Sequence, residues 1–181
     1  MKIPEKIDLA YRFLTPGCTI LVTSAWKGEA DILTVSWQTP VSKTPPLFCI
    51  AVAKGHHSHQ LIEQSGSYVI NVPNEYLLKE VMYCGTHSGR DVDKFAETQL
   101  TPEPGESVEV PHIQECMAYV ECRVSDAISA GDHTLFIGEA LKAEVTRGVF
   151  ERVWKIGEPG TELLQHLGGP DFFLPGRVIR A

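Results

Sequence analysis

The chain has 181 residues and a mass of 20.0 kDa, with 43% apolar and 22% charged residues, the usage of a globular protein with room for one real core. Its formal net charge is −7 and its pI about 5.5, so the basic surplus of a nucleic-acid reader is missing and any anion must be held by a few donors gathered in one place. No stretch nears the roughly 18 apolar residues of a membrane-crossing helix, and the opening MKIPEKIDLAYRF mixes acids with its bases around no apolar centre, which predicts a non-secreted, cytoplasmic protein without a membrane partner.

In chain order, Thr19 to Ser24 is a short β-branched run ended by Lys27-Gly28. Ile32 to Gln38 alternates, with Leu33, Val35 and Trp37 on one face and Thr34 and Ser36 on the other, which predicts a half-buried strand. Pro45-Pro46 breaks the chain before a buried-looking strand from Leu47 to Ala53. Ser58 reads as the N-cap of a helix whose apolar stripe starts at Leu61 and Ile62 and stops at Gly66. Ser67 to Val72 is a further strand. Leu77, Leu78, Val81 and Met82 recur at helical spacing within Glu75 to Tyr83, and Asp91 to Glu97 reads as a third, short helix.

Thr101 to Pro111 carries three prolines and a glycine and reads as a surface loop. Two long strands follow, Ala118 to Ala130 and His133 to Thr146, joined at Gly131-Asp132 in a hairpin. The tail from Gly148 is mixed and breaks at Gly168-Gly169-Pro170. No repeat, linker or βαβ alternation divides the chain, so one mainly β domain over residues 1–181 is expected, a β-barrel with helical insertions. With no GxGxxG after a strand and no GxxxxGK[ST], nucleotide binding of the Rossmann or P-loop kind is unsupported.

Three clusters carry candidate chemistry. In Thr34-Val35-Ser36-Trp37-Gln38-Thr39-Pro40-Val41-Ser42, period two sets the Thr34 and Ser36 hydroxyls side by side. They are either donors for a phosphate or a ring edge, or the solvated face of a strand. Lys54-Gly55-His56-His57-Ser58-His59 runs into a helix N-terminus, whose unpaired N–H groups and dipole favour an anion. This is the best phosphate seat on an acidic chain. A zinc site and a plain polar loop are its rivals, and the absence of HExxH and of paired cysteines nearby weighs against zinc.

The third cluster, Cys84-Gly85-Thr86-His87-Ser88-Gly89-Arg90-Asp91-Val92-Asp93-Lys94-Phe95, is expected as a glycine-framed turn rich in donors. Arg90 and Asp91 either serve a ligand or pair with neighbouring charges. The five cysteines form no CxxC, which fits a reducing compartment, and Cys84 reads as structural rather than as a redox thiol. His133 is either a hairpin residue or a proton donor beside a cofactor.

Taken in order, TVSWQTPVS, KGHHSHQLIEQSGSYVINVP, YCGTHSGRDVDKF, GDHTLFIGE and HLGG resemble the flavin reductase-like family, its flavoredoxin-type members most closely. The resemblance runs from about Leu14 to Gly169. It implies an FMN-binding split barrel with an extended Greek-key sheet, and a homodimer with FMN near the subunit interface. It further implies an oxidoreductase that passes a hydride from NADH or NADPH to the flavin; the alternative is an FMN electron carrier that docks a redox protein. On matching positions, Thr34, Ser36, Trp37, Thr39 and Ser42 would line the flavin, and Lys54, His57, Ser58 and His59 would hold its phosphate end. Thr86, His87, Ser88, Gly89, Arg90 and Lys94 would close over it, Phe172 would cover the ring, and His133 would be the catalytic residue facing the nicotinamide. No metal is implied. A barrel that serves only as an interaction module, without cofactor, is the reading from another class.

Overall fold

The computed structural model describes residues 17–176. After a two-residue strand β1 (Gly17–Cys18), β2 (Ile20–Trp26) and β3 (Glu29–Val35) form a hairpin. Lys27 and Gly28 both take positive φ, 51° and 85°, the conformation that matches a two-residue turn to the strands' twist. β4 (Gln38–Lys43) and β5 (Pro46–Ala53) form a second hairpin, and α1 (His57–Ser65) leads to β6 (Ser67–Val72). A 3-10 turn (Glu75–Leu77), α2 (Leu78–Thr86) and α3 (Lys94–Thr98) follow, then the short pair β7 (Pro102–Glu103) and β8 (His112–Ile113). The long hairpin of β9 (Ala118–Ala130) and β10 (His133–Val145) turns at Gly131-Asp132, with Gly131 at φ 61°. β11 (Gln165–Gly168) pairs with β1 on one side and with β12 (Asp171–Phe173) on the other.

Seven strands form one antiparallel sheet in the order β3-β2-β6-β9-β10-β5-β4. Its two edges, β3 and β4, are consecutive in the chain and joined by Ser36 and Trp37 alone. Laid flat, the edges would stand about 29 Å apart at the usual strand spacing. The link from Val35 to Gln38 reaches at most about 11 Å. The sheet therefore has to curl until its edges meet, and the fold is a split barrel of mainly β structure.

The inner faces pack Ile20 and Val22, Leu33 and Val35, Ile50 and Val52, with Tyr68, Cys122 and Phe136. One end of this core is plugged by α1, which sends Ile62 into it and lays the His59 ring edge-on to Phe136. On the outside of the β2–β3 hairpin a second apolar cluster joins Leu21 and Ile32 to Val81 and Cys84 of α2, with Leu100, Ile113 and Leu164. These two strands are thus covered on both faces over much of their length, which buries Thr23, Ser24 and Asp31 along with their apolar residues.

Several expected elements shift. β3 stops at Val35, and Trp37 is not a third inward residue; it is 42% exposed in the link to β4, whose strand status the proline at 40 concealed. The second helix starts later, at Leu78, and runs on to Thr86, so Cys84 and Gly85 lie in its last turn rather than in an open nest. α3 begins at Lys94, capped by the Asp93 side chain, which accepts from Ala96 N at 3.2 Å. The expected loop 101–111 contains β7 and is fastened from below by Glu121. That carboxylate is fully buried and accepts from the N–H groups of Glu106, Ser107 and Val108 at 3.1, 2.5 and 3.1 Å.

The barrel's tightest point tests this packing. A Cβ at Gly138 of β10 would stand 2.5 Å from Tyr68 Oη, whose hydroxyl donates to Phe48 O, and 2.9 Å from Cys122 Cβ. Gly138→Ala is expected to destabilise the protein by about 1–3 kcal/mol through overpacking. Urea denaturation measures it, and a variant as stable as wild type would contradict the described core.

Candidate functional site

A cleft of about 320 Å³ opens where the N-terminus of α1 faces the C-terminal end of α2 and the loop that follows it. From the first side come Gly55, His56, His57 and Ser58; from the second come Gly85 to Arg90. Two stretches about thirty residues apart in the chain thus share one cavity, with Asp31 and Leu33 of β3 between them. Across Gly85 and Thr86 lies a smaller lobe of about 150 Å³, which Thr34 and Ser36 line together, as their spacing implies, and to which His166 and Phe172 contribute from the tail. Gly85 permits this close approach, because a Cβ there would sit 3.2 Å from Thr34 Cβ. The volumes suit a cofactor-sized ligand.

The donors are chiefly main-chain. His56 holds the N-cap position of α1 but makes no side-chain capping bond, and no acidic residue occupies the first turn. The end of the helix dipole and its unpaired N–H groups therefore remain open to an anion. Ser58, expected as the cap, instead lies inside the first turn, fully buried, and its hydroxyl donates to Asp31 Oδ2 at 2.5 Å. Thr34 Oγ1 donates to Val81 O at 2.6 Å and Thr86 Oγ1 to Met82 O at 2.8 Å, so each hydroxyl proton already has an acceptor. Ser88 Oγ accepts from Arg90 N at 3.2 Å and keeps its own proton to give. Arg90 Nη1 donates to Gly55 O at 2.8 Å and clasps the two walls at the mouth. His87 lies against Tyr83 with ring centroids 3.9 Å apart.

Lys94, expected to reach a ligand, is buried. Its ammonium pairs with Asp31 Oδ1 at 3.0 Å and donates to Ile32 O at 2.6 Å and Cys84 O at 3.2 Å, so it is engaged within the protein. Lys54 is drawn away by the long hairpin, where it donates to Ser129 Oγ at 2.8 Å and Gly131 O at 2.6 Å. His57 does line the cleft, with Nε2 2.9 Å from Glu29 Oε1. His59 points instead into the barrel end, 2.8 Å from Thr134 Oγ1. The neighbouring histidines thus diverge, and among the described residues no group of three or more His, Cys, Asp or Glu side chains is arranged to hold a metal ion. Thr39 and Ser42 sit on β4 and line neither lobe. His133 and Trp37 also stand outside the cleft, as a ring pair with centroids 5.0 Å apart.

Sequence reasoning passed over Asp31, and it gave no individual role to His56 of the Lys54–His59 cluster or to His166 of the HLGG motif. Asp31 left one trace, a carboxylate directly against the apolar run that starts at Ile32, where a charge is rarely buried unless paired. His56 is pulled below the ordinary imidazole range by partial burial of its ring and then by the positive charge of Lys94. A groove of about 540 Å³ on the far side of Arg90 is larger than the cleft, but Glu29, Asp91 and Asp93 line it and disfavour an anion. No described helix is long and apolar enough to cross a membrane.

Comparison with known proteins gives this geometry a context. The family model of the flavin reductase like domain matches residues 11–161. A protein of Archaeoglobus fulgidus is 38% identical over 147 residues, covering 81% of this chain and 80% of its own. The flavin reductase (NADH) of Kitasatospora aureofaciens is 32% identical over 130 residues, 71% of this chain and 65% of that protein. Among solved structures, the flavoredoxin of Methanosarcina acetivorans superposes with a TM-score of 0.85 at 26% identity, covering 100% of this chain and 95% of that one.

The floor of the cleft is chemically quiet. Burial pushes the Cys84 thiol up to about 12, against the pull of Lys94. At pH 8 only about one molecule in ten thousand then carries the thiolate. Iodoacetamide at pH 8 should leave Cys84 unmodified in the native protein and label it after unfolding in guanidinium, as read by peptide mass mapping. Rapid native labelling would make it a reactive thiol instead.

Proposed function

The chain belongs to the flavin reductase-like family, and from that premise we propose that it binds FMN in the cleft and acts as an NAD(P)H-dependent flavin oxidoreductase, cytoplasmic and homodimeric with FMN near the subunit interface. The observation that supports this is the meeting of residues 55–58 and 85–90 at an uncapped helix N-terminus in an acidic protein. A phosphate ester fits that seat, since it takes the open N–H groups of α1 and the guanidinium of Arg90 without burying a formal charge unpaired. The smaller lobe with Thr34, Ser36 and Phe172 fits a planar ring edge.

FMN, when bound, supplies a ring nitrogen that accepts a hydride. The protein's part is orientation. Gly85 and Gly89 let the α2 end and its loop approach β3 closely, and Arg90 draws the loop across the mouth through Gly55. His133 is set to hold or accept a proton at Nε2. Its Nδ1 is 2.7 Å from Asp132 Oδ1, and that carboxylate is held below its usual range chiefly by the same hydrogen bond. An Nδ1–H donated to Asp132 leaves Nε2 as the acceptor of the neutral ring. The carrier reading, in which FMN relays electrons to a docked redox protein, is favoured by the full-length likeness to a flavoredoxin. NAD(P)H oxidation with free FMN and no other protein separates the two.

Titration with FMN is expected to give saturable quenching of flavin fluorescence; no binding at millimolar FMN would end this reading. Arg90→Ala should raise the FMN Kd about 10- to 100-fold, the range for a charge-assisted bond of ~1.5–3 kcal/mol, and change the riboflavin Kd less than twofold. His133→Ala should leave FMN bound and slow its reduction by NAD(P)H at least tenfold in stopped flow. An unchanged rate would remove His133 from the reaction.

A further inference from the structure

Beneath the cleft, four further stretches of chain are tied, directly or through one lysine, to a carboxylate on β3. Asp31 on β3 is 2% exposed. One oxygen faces Lys94, the first residue of α3, at 3.0 Å. The other accepts the hydroxyl proton of Ser58 in the first turn of α1 at 2.5 Å. Lys94 in turn ties Ile32 of β3 and Cys84 of α2 through their carbonyls. Gly89 of the loop packs so closely on the Asp31 side chain that a Cβ there would overlap the carboxylate. Every wall of the cleft is therefore referred to one buried group, although the sequence separates them by up to 63 positions, from Asp31 to Lys94.

We propose that Asp31 is a positioning residue for phosphate recognition, and that Lys94 and the Ser58 hydroxyl act through it rather than as ligands of the phosphate. The proposal rests on the FMN reading above and deepens it. Three facts carry it. The Ser58 hydroxyl has one proton, and Asp31 takes it. The Lys94 ammonium is buried, donates to the carbonyls of Ile32 and Cys84, and has its charge 3.0 Å from Asp31 Oδ1. The pair is neutral as a unit, so it adds no net attraction for a dianion; what it adds is the alignment of the α1 N–H groups with the loop that carries Arg90. Recognition of this kind loses affinity when its donors move by an ångström.

The sign of one substitution separates this from a simple charge effect. Were Asp31 merely a negative charge near the seat, its removal would tighten FMN. As a positioning group, its removal weakens FMN and spares the part of the ligand that the seat does not touch. Asp31→Asn keeps the side-chain volume and removes the charge that holds Lys94. It is expected to raise the FMN Kd at least tenfold while the riboflavin Kd stays within twofold, both by fluorescence titration on protein whose thermal melt remains cooperative. Ser58→Ala and Gly89→Ala disturb the same carboxylate from opposite sides without altering charge. They should show the same split, and they decide the matter if Asp31→Asn does not fold.

An FMN Kd that falls or stays level in these variants overturns the proposal, as does an equal loss for FMN and riboflavin, which marks general loosening. Wild-type protein that binds neither flavin removes the underlying FMN reading as well, an outcome distinct from wild-type binding that the variants leave unmoved.

Discussion

Two residues have to join opposite edges of a seven-stranded sheet, and much of the rest follows from that constraint. Because Ser36 and Trp37 cannot span a flat sheet, the strands curl into a barrel with a dedicated interior. The same closure leaves β2 and β3 with an outer face that water cannot be allowed to keep, since Leu21 and Ile32 point into it. The helices α2 and α3 cover that face, and the gap between their ends and α1, which plugs the barrel, is the cleft. The site is a by-product of closure, placed where the cover over β3 runs out.

A cleft formed between separate covers needs something to hold its walls in register, and apolar packing alone is poorly suited to the task because it is not directional. The buried pair of Asp31 and Lys94 supplies direction. Such a pair is weak evidence for stability, since desolvation offsets much of its Coulomb energy. It is better evidence for specificity of arrangement: Oδ2 holds the Ser58 hydroxyl, Oδ1 faces the Lys94 ammonium at 3.0 Å, and a shifted wall leaves a buried charge unmatched.

Legibility in the sequence followed the range of the physics. Elements set by local periodicity were readable: the β2 run, the stripe of α2, and the β9–β10 hairpin at Gly131-Asp132; β5 was readable as a strand, though only Ile50 and Val52 of it are buried. So was the pairing of Thr34 with Ser36, which period two puts in the same lobe. What failed depended on contacts across the chain. Ser58 has the composition of an N-cap, but its hydroxyl is drawn to a carboxylate 27 residues away, and His56 takes the cap position instead. Lys94 looks like a ligand-facing cation next to Arg90, yet only Arg90 stays at the surface. β4 hides behind Pro40, a residue an edge strand tolerates because its outward N–H has no partner to lose.

The balance of charge explains how so acidic a molecule can favour an anion at all. Formal cations near the cleft are mostly occupied: Lys94 by Asp31, Lys54 by the hairpin carbonyl of Gly131 and the Ser129 hydroxyl. His56 is biased toward its neutral form. Attraction then falls to partial charges fixed in the backbone and to one exposed guanidinium. Partial charges of this kind do not appear in a net charge of −7, and they act within about one helix turn. Affinity built in this way is short-ranged and depends on alignment rather than on bulk potential, which is why a neutral buried pair under the cleft matters more to it than another lysine on the rim.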